Sequence, residues 1–120
     1  MTPRDDDAPA DAPLDLKGLH LMMTLARRPM HGYAIRQDVE RCTGGEIRLW
    51  PATLYGLLSD LSQRGLIEET ASPGGPADDP RRRYYALTPA GRRALTAEAA
   101  RLERLARLAR SSLSPRKAGA

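Results

Sequence analysis

The last third of the chain constrains the fold most. Thr88 is a good helix cap and Pro89 suits the first helical position, and after Gly91 no residue breaks the pattern before Arg110. Those roughly 23 residues would span about 34 Å, longer than a small domain needs to cover its core. Leu95, Ala99, Leu102, Ala106 and Ala109 follow one helical stripe, widened by Leu105, Leu108 and Leu113. The opposite face is expected to carry Arg92, Arg93, Arg101, Arg104, Arg107 and Arg110 against Glu98 and Glu103. A helix that overhangs its own domain cannot bury so broad a stripe alone. Packing on the chain's own first helix or lying on a membrane surface are the alternatives to a two-fold dimer. The dimer is the expectation, because the first helix is also apolar on two sides. Its interface is expected to hold Leu16, Leu19, Met23, Leu95, Ala99, Leu102, Leu105, Ala106 and Ala109.

Upstream, Asp15 is a candidate cap for a first helix, with Leu19, Met22, Met23 and Ala26 on one face and Leu16, Leu21 and Leu25 on its flanks. Arg27-Arg28-Pro29 ends it. A second helix starting near His31 or Gly32 would place Ile35, Val39 and Cys42 inward, and Gly44-Gly45 stops it. Glu46 to Leu49 alternates as a very short strand. Pro51 then opens a third helix, with Leu54, Leu57, Leu58 and Leu61 inward and Gly65 closing it. Leu66–Thr70 and Arg82–Leu87 read as two strands joined by the Pro-, Gly- and Asp-rich stretch from Ala71 to Pro80. The fold class predicted is mainly α with a small β-hairpin, a winged helix-turn-helix over residues 14–88 followed by a long C-terminal dimerisation helix over 89–110. Residues 1–13 are expected to be a disordered acidic tail and 111–120 a flexible tail.

Charge narrows the partner. The first 13 residues hold one arginine against four aspartates, a net of −3, so the remainder of this +4 chain carries +7. A basic folded part favours a polyanion such as double-stranded DNA. Enzymatic chemistry lacks its parts. His20 and His31 are the only histidines and Cys42 the only cysteine, so no metal-ligand spacing and no thiol triad is present, no phosphate-binding glycine loop occurs, and neither a catalytic site nor a metal or cofactor is expected. The single cysteine fits a reducing compartment, and with no export signal and no membrane-length apolar run the expected location is the cytoplasm, with no membrane partner.

Met30-His31-Gly32-Tyr33, Pro51-Ala52-Thr53-Leu54-Tyr55, Gly65-Leu66-Ile67, Arg81-Arg82-Arg83-Tyr84-Tyr85-Ala86-Leu87-Thr88 and Gly91-Arg92 stand in an order and spacing that is specific. On these segments the chain resembles the PadR family of bacterial transcriptional regulators from about Leu14 to Arg110. The resemblance implies a homodimeric regulator, often a repressor, with the third helix and wing on DNA and the last helix in the dimer. It also implies that Tyr55 hydrogen-bonds the DNA backbone. Packing of Tyr55 against the wing is the alternative.

The expected DNA-binding residues are Tyr33, Pro51, Ala52, Thr53, Tyr55, Gly56, Ser59, Arg64, Arg81, Arg82 and Arg83. The free amides and positive dipole end of the third helix favour a phosphate, and Gly56 allows close approach. Thr53 either donates to a phosphate or base edge or satisfies helix-end amides. His31 and Tyr33 serve as a cap and packing group or as phosphate contacts. Trp50, at a cap position that prefers a small polar residue, is expected to pack in the core rather than line a ligand site or lie against DNA. Asp78-Asp79 would keep the wing tip off phosphate. A winged helix used only for protein contact is the rival reading. Some members of the resembled family bind flat effectors between aromatic side chains of the last helix, but residues 89–110 contain none, so any small-molecule effector is of unknown kind.

Overall fold

The computed structural model describes residues 14–115. The Asp15 carboxylate accepts from the Gly18 N–H at 2.6 Å and starts α1 (Leu16–Arg27). Met30–His31 forms β1, and His31 Nδ1 then accepts from the Ala34 N–H at 3.3 Å to cap α2 (Gly32–Cys42). Pro51 opens α3 (Pro51–Gln63), and Gly65, at φ +74°, takes the left-handed turn into β2 (Ile67–Thr70). β3 (Tyr84–Leu87) returns antiparallel, with Ile67 opposite Leu87 and Thr70 opposite Tyr84. On its other edge β3 pairs with β1, Met30 opposite Tyr85, giving the sheet order β1-β3-β2. The chain ends in α4 (Pro89–Leu113). This mainly helical fold with a small sheet is a winged helix-turn-helix.

Leu21, Met22 and Leu25 of α1 meet Ile35 and Val39 of α2, Leu54, Leu58 and Leu61 of α3, and Leu66, Ile67 and Leu87 of the hairpin in one core. A polar clasp locks α1 to α2. Buried Asp38 accepts from Thr24 Oγ1 at 2.8 Å and pairs with both Arg27 and Arg41. Burial alone would raise the Asp38 pKa, but the bonds from Thr24 and Arg41 and the charges of both arginines outweigh it and hold the carboxyl below its ordinary range. Losing one partner of such a group would leave a buried charge uncompensated.

Several expectations are corrected. Glu46–Leu49 forms no strand, because its backbone is held by side chains: Thr43 Oγ1 accepts from the Ile47 N–H at 3.1 Å, and Arg36 Nε donates to the Leu49 carbonyl at 2.7 Å. The third strand is Met30–His31 instead. β3 begins at Tyr84 rather than Arg82, since Arg82 N–H closes a turn on the Asp79 carbonyl at 3.1 Å. Cys42 is exposed at the end of α2, with its Sγ 3.8 Å from the Arg27 guanidinium. Trp50 is 60% exposed, not in the core. α4 runs on to Leu113, three residues past Arg110 and into the expected tail. Glu98, expected on the charged outer face, is buried. It bonds Arg101 (Nε at 2.8 Å) and accepts a backbone bond from Leu14; the Arg101 bond outweighs burial and lowers its pKa. The expected acidic tail over 1–13 and the last five residues of the expected C-terminal tail lie outside the described residues.

Candidate nucleic-acid interface

The amphipathic period of α3 decides what it shows to solvent. With Leu54, Leu58 and Leu61 buried and Leu57 half-buried, Pro51, Ala52, Tyr55, Gly56 and Ser59 are exposed and Thr53 half-exposed. Pro51, Ala52, Tyr55, Gly56 and Ser59 therefore spread over the outward side of the helix near its positive end, and Thr53 stands at the margin of that side, one turn before half-buried Leu57. Nothing lies within 4 Å of where a Gly56 side chain would begin, so the backbone there is open to close approach. Tyr55 is 67% exposed and stands at the edge of a concavity of about 490 Å³. That hollow is walled by Tyr33 on α2, Tyr55 on α3, Tyr85 on β3, and Arg81, Arg82 and Arg83 ahead of β3. The structure thus brings together residues from three separate segments of the sequence.

Each of the three arginines has an acidic neighbour: Arg81 with Asp79 at 3.2 Å, Arg82 with Asp78 at 3.4 Å and Arg83 with Glu69 at 3.9 Å. All three guanidinium groups remain substantially exposed, so these are screened surface pairs that a phosphate can displace. Asp78 has a second use. It accepts from Ser72 Oγ and Tyr84 Oη, both at 2.5 Å, and these bonds hold its pKa at about 2. The wing loop is therefore tied across its base by a carboxylate that stays charged. His31 packs edge-on to Tyr84, ring centroids 5.3 Å apart. Burial, followed by the nearby charge of Arg82, lowers the His31 pKa and favours the neutral ring that caps α2.

Two expected site residues fall elsewhere. The Arg64 side chain is only 6% exposed and lies 3.7 Å from Asp60, folded back along α3 rather than presented to a ligand. Leu19, expected in the dimer interface, is 7% exposed and belongs to the chain's own core. By contrast Leu16, Met23, Leu102 and Leu105 are all exposed, and α4 beyond Glu98 has lost contact with most of its own domain. Reading the sequence alone missed Tyr85 as a wall of the concavity, and Arg36 and Arg48 beside Trp50. Arg36 stands one helical turn after Tyr33, a spacing that was available as a signal.

Three helices with an antiparallel wing, and a third helix whose positive end stands open beside the wing-base arginines, define a winged-helix protein. Residues 21–97, more than half of the chain, match the transcriptional regulator PadR-like family, and the chain belongs to that family. It is therefore a regulator, not an enzyme. Over 89 residues it is 38% identical to transcriptional regulator Rv3488 of Mycobacterium tuberculosis, covering 74% of this chain and 78% of that protein. Over 85 residues it is 39% identical to an uncharacterized 37.1 kDa protein in transposon TN4556 of Streptomyces fradiae, covering 71% of this chain but only 22% of that longer protein. The solved structure of a transcriptional regulator from Clostridium thermocellum has the same fold, with a TM-score of 0.69 at 19% identity over 82% of this chain and 90% of that one. No helix among the described residues is long and apolar enough to cross a membrane.

Proposed function

We propose that the protein is a homodimeric repressor that binds a palindromic DNA operator, reading base edges with α3 and gripping phosphates with the wing base. The observation that carries this reading is the single concave surface on which Tyr33, Tyr55, Arg81, Arg82 and Arg83 meet next to the open end of α3. In this reading Thr53, Gly56 and Ser59 face the groove floor, Pro51 and Ala52 let the helix end approach closely, and the tyrosine hydroxyls and arginines hold the backbone. The second copy docks through α4 and the outer side of α1, on Leu16, Met23, Ala99, Leu102, Leu105, Ala106 and Ala109, together with the exposed edge of Leu95, whose other side packs on the chain's own core. Two-fold symmetry would then set two α3 helices about 34 Å apart, the spacing of successive major grooves on one face of a duplex.

Salt dependence tests the electrostatic half of the proposal. Each neutralised phosphate contributes close to one unit to the slope of log affinity against log salt. Replacing Arg82 and Arg83 together with Ala should weaken all duplexes alike and flatten that slope by about one to two units. An unchanged slope would take the wing base out of the interface. Binding that ignores salt altogether would favour a protein-contact module instead.

A further inference from the structure

We infer that a second cleft, on the far side of Tyr33 from the wing arginines, receives the sugar-phosphate backbone of a DNA strand, with the Trp50 indole laid against a deoxyribose. The inference rests on the reading of α3 as the groove helix and adds a contact surface to it.

Trp50 occupies the cap position of α3 and makes no side-chain capping bond. Serine, threonine or aspartate there would contribute about 1 kcal/mol by satisfying a helix-end amide. A tryptophan in a core buries roughly 150–250 Å² of surface, yet this one is 60% exposed. The residue therefore gives the isolated chain neither a cap nor the burial its size allows, and its surroundings suit a ligand. It lines a cleft of about 250 Å³ together with Tyr33, Arg36, Gln37, Arg48, Leu49 and one carboxylate, Glu40, whose charge is offset by Arg48. The bond from Arg36 Nε to the Leu49 carbonyl, 2.7 Å, anchors the residue just before Trp50, so the indole is presented from a fixed segment. The terminal nitrogens of Arg36 add donors to that bond. Arg48 pairs with Glu40 at 2.9 Å with both side chains about half exposed, a contact weak enough for phosphate to replace.

The chemistry matches a nucleic-acid strand, in which an apolar sugar face alternates with a negative phosphate. An exposed indole and tyrosine supply the first kind of contact, and two arginines beside the N-terminal ends of α2 and α3 supply the second. Continuity with the candidate interface fixes the occupant further. Tyr33 lines both this cleft and the concavity holding Arg81, Arg82 and Arg83, so one surface runs from the wing base past the start of α3 to Arg48. The two clefts would thus hold neighbouring stretches of backbone along the surface that Tyr33 joins.

Trp50 is the only tryptophan in the chain, so fluorescence excited beyond the absorption of the four tyrosines reports on this side chain alone. Acrylamide quenching of the full chain should be efficient in the free protein and fall severalfold when the protein is saturated with a duplex selected for binding. Trp50→Ala should weaken binding about tenfold, the size of one lost aromatic contact, equally for all duplexes and with an unchanged preferred sequence. Trp50→Tyr should recover most of that loss. Unchanged quenching in the complex, or parent-like affinity of Trp50→Ala, would overturn this inference while leaving α3 as the reader. An indole already shielded in the free protein would also overturn it, with a second copy covering the site. Failure of the parent chain to bind any duplex would overturn the underlying reading as well.

Discussion

Leu102→Glu is expected to convert the protein to a monomer at micromolar concentration and to cut its affinity for a selected duplex by two orders of magnitude or more. In the single chain Leu102 is 39% exposed, beside Leu105 at 45%, on the part of α4 that extends past the buried Glu98. A carboxylate placed there stays solvated in one chain, so the fold should survive. In a two-fold interface the same change puts two uncompensated charges into an apolar contact, at a cost of about 3 kcal/mol or more, which is over a hundredfold in dimer affinity. DNA binding falls with it, because two linked reading heads gain about 10²–10⁴ over one. Sedimentation equilibrium and duplex titration measure the two effects separately. A variant that remains dimeric, with unchanged duplex affinity, would remove α4 as the assembly element and the half-site spacing with it.

Gly91→Ala should destabilise the fold by about 3 kcal/mol, the upper range for overpacking, and lower the melting temperature by more than 10 °C. Helix propensity points the other way, favouring alanine by about 1 kcal/mol. Geometry decides the sign. A Cβ on Gly91 would sit 2.0 Å from the Leu66 carbonyl oxygen and 2.7 Å from Leu87 Cδ1. The carbonyl belongs to backbone fixed by its own bonds: Thr88 N–H donates to that oxygen at 3.1 Å, and Thr88 Oγ1 donates to the Gly65 carbonyl at 2.6 Å while accepting from the Gly91 N–H at 3.0 Å. Nothing there can step aside without unseating α4 from the hairpin. Gly56 is the matched control, also helical but with open space around its α-carbon, so Gly56→Ala should raise the melting temperature slightly. Thermal unfolding of the two variants separates packing from propensity, and a Gly91→Ala protein as stable as the parent would refute the close approach of α4 to Leu66, just ahead of β2.

The helices were legible because their signals are local. Asp15, Thr88 and Pro51 sit where caps and first-turn residues belong, and the leucine stripe of α3 follows the helical period. The sheet was harder. Met30–His31 is two residues long and is a strand only because β3 lies beside it, a long-range pairing that no local pattern encodes, whereas the alternation in Glu46–Leu49 is used by side-chain bonds from Thr43 and Arg36. Periodicity likewise assigned Glu98 to the wet face of α4, when the backbone of Leu14 comes back to meet it. Of the candidate site, the outward face of α3 and the wing arginines could be read from spacing and charge. The wall supplied by Tyr85 and the tucked-in position of Arg64 depend on how the hairpin folds over α3. The poor fit of Trp50 to a cap position points to the core, whereas the segment before α3, held by the Arg36–Leu49 bond, leaves the indole exposed.

Selection of bound sequences from a random duplex library by the full chain tests the central claim most directly. A dimer reading successive major grooves should enrich an inverted repeat whose half-site centres are separated by about one helical turn, roughly 10 base pairs, with affinity falling steeply as salt rises. A pool that gains no common sequence through successive rounds, together with retention that ignores salt, would contradict it.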